Sequence, residues 1–231
     1  MNQDLEADFA VLDTEWQSIV ANSATTRDIL TQWDADMARL AGEHDQLLHS
    51  GRWVVGAEDI LSIIGRPRFE AYHSAMLAWL LNPLGKHGLG TTFLELLAKR
   101  CGLNNDLPNL HLARPQVEVH RVDTRADIVV FAPSVTLVIE NKVDAKEQER
   151  QCDRLVERFG RHPRAVFLFL SPSGNAPITA TGANRDVWTA LRYRELAGLL
   201  ETALCTTATN PDSGGRSTAQ NYLLTIQREF S

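Results

Sequence analysis

The sequence predicts an α/β (α+β) protein: a mixed β-sheet core flanked by helices, with a helical N-terminal extension. Three observations lead to this prediction. Helical periodicity occupies most of residues 5–101, and strand patterns follow between residues 116 and 140. The continuous apolar run at 165–170 is typical of a buried central strand. Helices followed by strands, then by a helix and a further strand, indicate a sheet covered by helices.

The length and the charge distribution suggest two parts: a helical arm or hairpin at 1–50 and a sheet-containing domain at 51–231. The net charge of −6 is divided unevenly, since residues 1–64 carry −9 and residues 65–231 carry +3. This division is compatible with a body that binds nucleic acid and an acidic extension that does not face it.

Several protein classes are not expected. No run of about eighteen apolar residues is present, so we expect no membrane-spanning helix. The N-terminus lacks the basic start and apolar run of a signal peptide. Cys101, Cys152 and Cys205 are odd in number and form no CxxC pair, which favours reduced thiols in a cytoplasmic protein. Phosphate-loop, zinc and nucleophile-elbow motifs are absent from the sequence.

The N-terminal extension carries an apolar seam with alternating spacings of four and three residues, typical of a coiled coil. Its members are Leu5, Phe9, Leu12, Trp16, Ile19, Ser23, Thr26, Leu30, Trp33, Met37, Leu40, His44 and Leu47. The short polar side chains at 22–26 favour a cap or a turn, so either one long helix bends there or two helices form a hairpin. The arm either packs on its own domain or mediates a homodimer or a partner-protein contact through residues 5–47.

Charged residues end two strands that are otherwise apolar. Glu140 and Lys142 share one face of their strand, and Asn141 points to the other. Buried charges are costly unless a metal or a substrate compensates them. Asp127 begins the preceding strand, and a turn at 133–134 would bring it to Glu140, where both could bind one cation. Taken alone, Glu140 and Lys142 could also form an ordinary strand-end salt bridge.

A family resemblance is carried by Arg125-Ala-Asp-Ile-Val-Val-Phe and Leu137-Val-Ile-Glu-Asn-Lys. Together they resemble the PD-(D/E)xK nuclease superfamily, and within it the subgroup whose active-site strand is Ile-Glu-Asn-Lys. Further matches are Arg68-Phe-Glu-Ala-Tyr-His-Ser-Ala-Met-Leu-Ala-Trp-Leu-Leu-Asn-Pro, His87-Gly, Gly90 and Phe93-Leu. The resemblance covers about residues 55–170.

The resemblance implies a restriction-endonuclease-like fold and a metal-dependent nuclease that hydrolyses phosphodiester bonds. The implied substrate is DNA rather than RNA, cut endonucleolytically in bacterial restriction, phage defence or mobile-element biology. The implied cofactor is Mg²⁺, with Mn²⁺ as a substitute, bound by Asp127, Glu140, the backbone carbonyl of Asn141 and Glu70 through a water. Lys142 would act on the phosphate. The alternative is a catalytically silent module of the same fold that binds nucleic acid or a partner protein.

Glu70 matches the helical glutamate of the family. Glu70, His73, Ser74, Leu77 and Leu81 fall on one helical stripe that must face the body of the protein, and a carboxylate there needs a partner. Alternatively, Glu70 interacts with the helix dipole at the N-terminus. His73 is either a hydrogen-bonded core residue or a catalytic residue.

The segment after the active-site strand supplies the remaining candidates. Related nucleases carry a glutamine there, often as QxxxY; Gln151 matches it as a catalytic residue, although Leu155 replaces the tyrosine. Gln148, one turn earlier, could share that role. Glu118, on the strand before Asp127, could add a carboxylate.

A helix is predicted over 145–159, with basic residues at every fourth position. We expect them to bind nucleic-acid phosphates, although interleaved acidic residues are equally typical of a solvated, salt-bridged helix. The four basic residues are Lys146, Arg150, Arg154 and Arg158.

Overall fold

The computed structural model describes residues 3–52, 55–103, 107–207 and 214–230, with side chains described from residue 8 on except that of residue 24. Three predicted features lie wholly or partly outside the described residues: the side chain of Leu5, the Asn104-Asn105 turn and the linker at 206–216. The chain divides into two compact units, residues 1–56 and 57–231.

The first unit contains one continuous helix, α1 (Gln3–His49). Of the two alternatives, one long helix or a hairpin, the structure shows the long helix, and the physical reason lies in the polar segment. Thr25 and Thr26 donate their hydroxyl hydrogens to the carbonyls of Ala21 and Asn22, one turn earlier, so these side chains are satisfied without interrupting the helix. The apolar seam is largely exposed, as the 62% and 64% exposures of Trp16 and Trp33 indicate.

The second unit contains a five-stranded mixed sheet, as predicted. Its strands lie in sequence order: β1 (Arg114–Arg121), β2 (Thr124–Phe131), β3 (Thr136–Asn141), β4 (Ala165–Ser171) and β5 (Trp188–Arg192). The first three pair antiparallel through short turns, whereas β3, β4 and β5 pair parallel. The crossover from β3 to β4 contains α5, and the one from β4 to β5 is a loop with a short 3-10 helix, Gly182–Val187. β3 is buried along its whole length.

Helices cover both faces of this sheet, in agreement with a restriction-endonuclease-like α+β fold. They are α2 (Ile60–Ile63), α3 (Glu70–Leu80), α4 (Thr92–Arg100), α5 (Gln151–Phe159), α6 (Tyr193–Thr206) and α7 (Gly214–Glu229). On one face, Leu137 and Ile139 belong to an apolar core shared with α3, α4, α6 and α7. On the other face, Val138 packs in a smaller core with Leu155 and Phe159 of α5.

The helix predicted over 145–159 is wrong in its first six residues, since α5 begins only at Gln151. The carboxylate of Glu147 accepts hydrogen bonds from the backbone N–H groups of Ile178 and Thr179, which ties residue 147 to a distant loop. Arg150, immediately before α5, has a left-handed backbone with φ 52°. These features keep residues 145–150 out of the helix.

One further prediction concerns membranes. Within the part of the chain that the structure describes, no helix combines the length and the apolar character needed to cross a bilayer.

Candidate active site

The pairing of β2 with β3 brings two acidic side chains together. Ile128 pairs with Ile139 in an antiparallel register, so the next residues outward, Asp127 and Glu140, lie opposite each other. The two carboxyl groups are coupled electrostatically, since the charge of Asp127 contributes to the raised pKa of Glu140. Asp127 Oδ2 also accepts the backbone N–H of Asn141 at 2.8 Å. The expected convergence of the two carboxyl groups is thus present.

Glu140 is completely buried, and its two oxygens differ in their surroundings. Oε1 lies 2.8 Å from Lys142 Nζ and accepts a hydrogen bond from Gln151 Nε2 at 2.5 Å. Oε2 is buried and has no hydrogen-bond partner among the described residues. An unpartnered buried carboxylate oxygen is costly in free energy, so this site favours a ligand that supplies positive charge.

Burial dominates the electrostatics of this cluster. It raises the pKa of Glu140 well above its ordinary value, and the charge of Asp127 adds to the effect while Lys142 opposes it. Burial likewise raises the pKa of Asp127 against the opposing effect of Lys142. For Lys142, burial lowers the pKa, but the neighbouring Glu140 carboxylate outweighs it and the net shift is upward.

These residues fit a hard divalent cation. Two carboxyl groups meet in a buried place, and one carboxylate oxygen has no partner in the part of the chain that the structure describes. Oxygen ligands are those that Mg²⁺ prefers. Among the described residues, no group of three or more His, Cys, Asp or Glu side chains could hold a metal by itself. A cation here would therefore need further oxygen ligands from the backbone, water or substrate, which is usual for Mg²⁺.

Glu70, the first residue of α3, reaches the segment that follows β3. Its Oε1 accepts the backbone N–H groups of Val143 and Ala145 at 2.8 and 3.0 Å. Glu70 therefore fixes the backbone directly after Lys142. It also lines a polar cavity of about 350 Å³ together with Asp127 and Lys142.

Gln151 links the site to the segment before α5. Its Nε2 donates to Glu140, and its Oε1 accepts the backbone N–H of Gln148 at 3.0 Å. Both glutamines line the polar cavity. Leu155, at the tyrosine position of the family pattern, is completely buried and belongs to the smaller core.

A comparison with family models gives one match. The model of the PD-(D/E)XK nuclease superfamily matches residues 58–223, which span the sheet, the acidic pair and most of α7. The chain belongs to the PD-(D/E)XK nuclease superfamily. No curated protein and no solved structure matches the chain. The matched range includes Asp127, Glu140 and Lys142.

Most of the basic residues predicted to bind nucleic acid form ion pairs or hydrogen bonds within the chain. Arg150 pairs with Glu157, and Arg158 pairs with Asp123, each at 2.8 Å. Arg154 donates to the carbonyl of Glu149 at 2.5 Å. Lys146 is exposed but precedes α5, so the predicted four-residue stripe on one helix is wrong. These contacts favour the interpretation of the segment as solvated and salt-bridged over its interpretation as a phosphate-binding stripe.

Two other candidates lie away from the centre of the site. His73 is fully buried; Nδ1 lies 2.9 Å from the Tyr222 hydroxyl and Nε2 lies 2.8 Å from the Pro67 carbonyl. Burial lowers its pKa, which is typical of a neutral core histidine. Glu118 is half exposed, pairs with Arg125 at 3.3 Å and does not line the polar cavity.

A polar clamp that the sequence analysis did not identify fastens α3 to β3. Asn141 Nδ2 donates to Ser74 Oγ at 3.0 Å and to the Glu70 carbonyl at 3.2 Å, and its Oδ1 accepts the Tyr193 hydroxyl at 2.5 Å. Because this clamp holds the start of α3, it positions the Glu70 side chain beside the acidic pair. The sequence predicts that Asn141 points away from Glu140. It does not reveal the contact with Tyr193, because Tyr193 lies 52 residues further along the chain.

Proposed function

We propose that this protein is a Mg²⁺-dependent deoxyribonuclease, with Mn²⁺ as a substitute, that cleaves phosphodiester bonds endonucleolytically. One observation carries the proposal. Asp127 and Glu140 meet beside Lys142, and the buried Oε2 of Glu140 lacks a partner among the described residues. Membership of a nuclease superfamily supports the same conclusion.

The cation would be held by the carboxylates of Asp127 and Glu140 and by the backbone carbonyl of Asn141, with Glu70 contributing through a water. When bound, a divalent cation polarises the phosphate and lowers the pKa of water. The protein itself supplies a preorganised acidic pair, because strand pairing fixes both backbones.

Three side chains have proposed roles around this pair. Lys142 lines the polar cavity and would bind a phosphate oxygen there, stabilising the charge that develops on it. Gln151 fixes the orientation of Glu140 through its 2.5 Å hydrogen bond. Gln148 lines the same cavity, which is compatible with a contact to substrate.

For the nucleic-acid contacts, we keep Lys146, Arg150, Arg154 and Arg158 as part of the proposal. The three arginines would exchange their present partners for phosphates, which costs little where the ion pairs are exposed. The contacts of His73 and Glu118 described above favour structural roles for both residues, and not catalytic ones.

The finer assignments rest on the family resemblance and the cysteine pattern. They are the Ile-Glu-Asn-Lys subgroup, DNA in preference to RNA, a role in restriction, phage defence or mobile-element biology, and a cytoplasmic location. The three cysteines are free thiols in the structure, which is compatible with that location.

The acidic arm has a separate proposed role. We propose that residues 5–47 form a homodimer, with docking of a partner protein as the alternative. The support is the sustained 4,3 spacing together with the exposure of its apolar side chains, including Phe9, Trp16 and Trp33 at 62–66%. Pairing two seams would bury this surface, at roughly 25 cal/mol per Å². The division of the chain at residue 50 stays a prediction.

Nicking of supercoiled plasmid tests the catalytic proposal. Wild-type protein is expected to nick with Mn²⁺ or Mg²⁺ and not with EDTA, whereas Glu140→Ala is expected to lose roughly 100-fold or more in rate. Glu201→Ala, an exposed carboxylate on α6, is the matched control and should nick normally. Equal nicking by wild type and Glu140→Ala would contradict the proposed mechanism. Binding of DNA without nicking by any form would favour the catalytically silent module.

A further inference from the structure

A second cavity adjoins the polar one. It has a volume of about 520 Å³ and shares Glu70, Arg125 and Asp127 with the polar cavity. Its distinguishing wall is apolar and is formed mainly by Phe69, Tyr72 and Val117. The volume is in the range of small-ligand sites.

Two aromatic side chains on this wall are exposed. Phe69 is 51% exposed and Tyr72 is 39% exposed, although each precedes or begins a helix whose other face is buried. Their ring centroids are 5.0 Å apart with an interplanar angle of 57°. Neither ring belongs to the two apolar cores. The rings therefore leave π-faces available to a planar ligand.

The two cavities together match the two chemical parts of a nucleotide. The polar cavity offers Lys142 and Gln148, which suit a phosphate. The apolar cavity begins at the shared Asp127 and offers aromatic rings, which suit a base. In a duplex, both faces of a base are stacked on its neighbours, so only an unpaired or splayed base could lie against these rings.

We propose that Phe69 and Tyr72 form a stacking platform for an unpaired nucleobase next to the scissile phosphate. The proposal rests on the nuclease function above and narrows its substrate class to single-stranded, frayed or locally opened nucleic acid. Arg125 lies at the boundary of the cavities, where it would accompany the backbone between base and phosphate.

Binding in EDTA tests the platform without cleavage. An oligonucleotide carrying the fluorescent base 2-aminopurine is titrated with protein, once single-stranded and once within a duplex of the same sequence. The double variant Phe69→Ala, Tyr72→Ala is expected to bind the single strand about tenfold more weakly than wild type, because stacking on aromatic side chains is lost. Wild type is expected to quench the fluorescence on binding, and the double variant is not.

Two further variants separate stacking from apolar contact and from misfolding. Phe69→Leu, Tyr72→Leu retains apolar side chains without aromatic faces and is expected to lose the quenching as well. Leu84→Ala removes an 83% exposed apolar side chain that lines neither cavity and should behave as wild type. Thermal melting verifies that each variant is folded.

The outcomes distinguish the two proposals. Any of three results would overturn the platform. The alanine variant could bind the single strand with wild-type affinity, or it could lose affinity equally for the single strand and the duplex. The leucine variant could also retain the quenching. Failure of wild type to nick any substrate with Mn²⁺, despite normal quenching, would instead overturn the nuclease proposal.

Discussion

Substitution of Glu140 by glutamine tests whether the buried charge of the acidic pair destabilises the folded protein when no metal is bound. The amide keeps an oxygen for Lys142 and Gln151 and replaces Oε2 by an uncharged NH2 group. It thereby removes the buried charge of the carboxylate, whose Oε2 has no hydrogen-bond partner among the described residues. An unsatisfied buried polar group costs about 1–3 kcal/mol, and more when it is charged. We therefore expect Glu140→Gln to raise the free energy of unfolding in EDTA by about 1–3 kcal/mol near pH 8.

The pH dependence gives the sign of the effect. The folded-state pKa of Glu140 is raised above its ordinary value of 4.5. Its stabilising contribution is thus fully present below about that value and is lost as the pH rises through the folded-state pKa. Glutamine does not titrate, so its advantage over wild type should be small at acidic pH and should grow as the pH rises.

Urea unfolding and thermal melting across this pH range measure the difference, with about 2–4 °C of melting temperature expected per kcal/mol for a chain of this size. Mg²⁺ or Mn²⁺ should stabilise wild type and not the variant. Asp153→Asn is the matched control: burial opposes ionisation there, but hydrogen bonds from Thr181 and Asn184 hold the pKa of Asp153 below its ordinary value. This variant should be destabilised at neutral pH. A glutamine variant less stable than wild type at every pH would refute the reasoning.

Two further predictions concern the clamp and the arm. Asn141→Ala removes three hydrogen bonds and leaves the buried Tyr193 hydroxyl without its partner. It should therefore lower the free energy of unfolding by roughly 2–4 kcal/mol and reduce nicking. Wild-type stability of this variant in urea unfolding would contradict the clamp. Light scattering should give a dimer for the full chain and a monomer for a chain beginning at Arg52, and Trp16→Asp with Trp33→Asp should also give a monomer. A monomeric full chain at tens of micromolar would contradict self-association.

The central sheet and its acidic pair were predictable because their determinants are local. Apolar strand patterns separated by the turn at 133–134 fix an antiparallel register, and this register puts Asp127 opposite Glu140. The run at 165–170 was long and apolar enough to predict its burial between two neighbours. These features depend on residues close in the chain, so periodicity and turn chemistry suffice to predict them.

The errors have a different physical origin. The segment 145–150 has helical composition, but Glu147 binds backbone N–H groups about thirty residues away, and no local pattern encodes that contact. The seam segment at 22–26 has turn-like composition, yet its hydroxyl groups are satisfied inside the helix. In both cases, hydrogen-bond satisfaction outweighed intrinsic propensity.

The late start of α5 also explains how the site is built. If residues 145–150 were helical, the backbone N–H of Gln148 would be free to bond within the helix and would not need the side chain of Gln151. In the structure, Gln151 accepts that N–H and donates to Glu140, so a single side chain links the end of the loop to the acidic pair. On the other face of β3, Asn141 fastens the start of α3. Two amide side chains, on opposite faces, thus hold the elements around a charge cluster that would otherwise favour their separation.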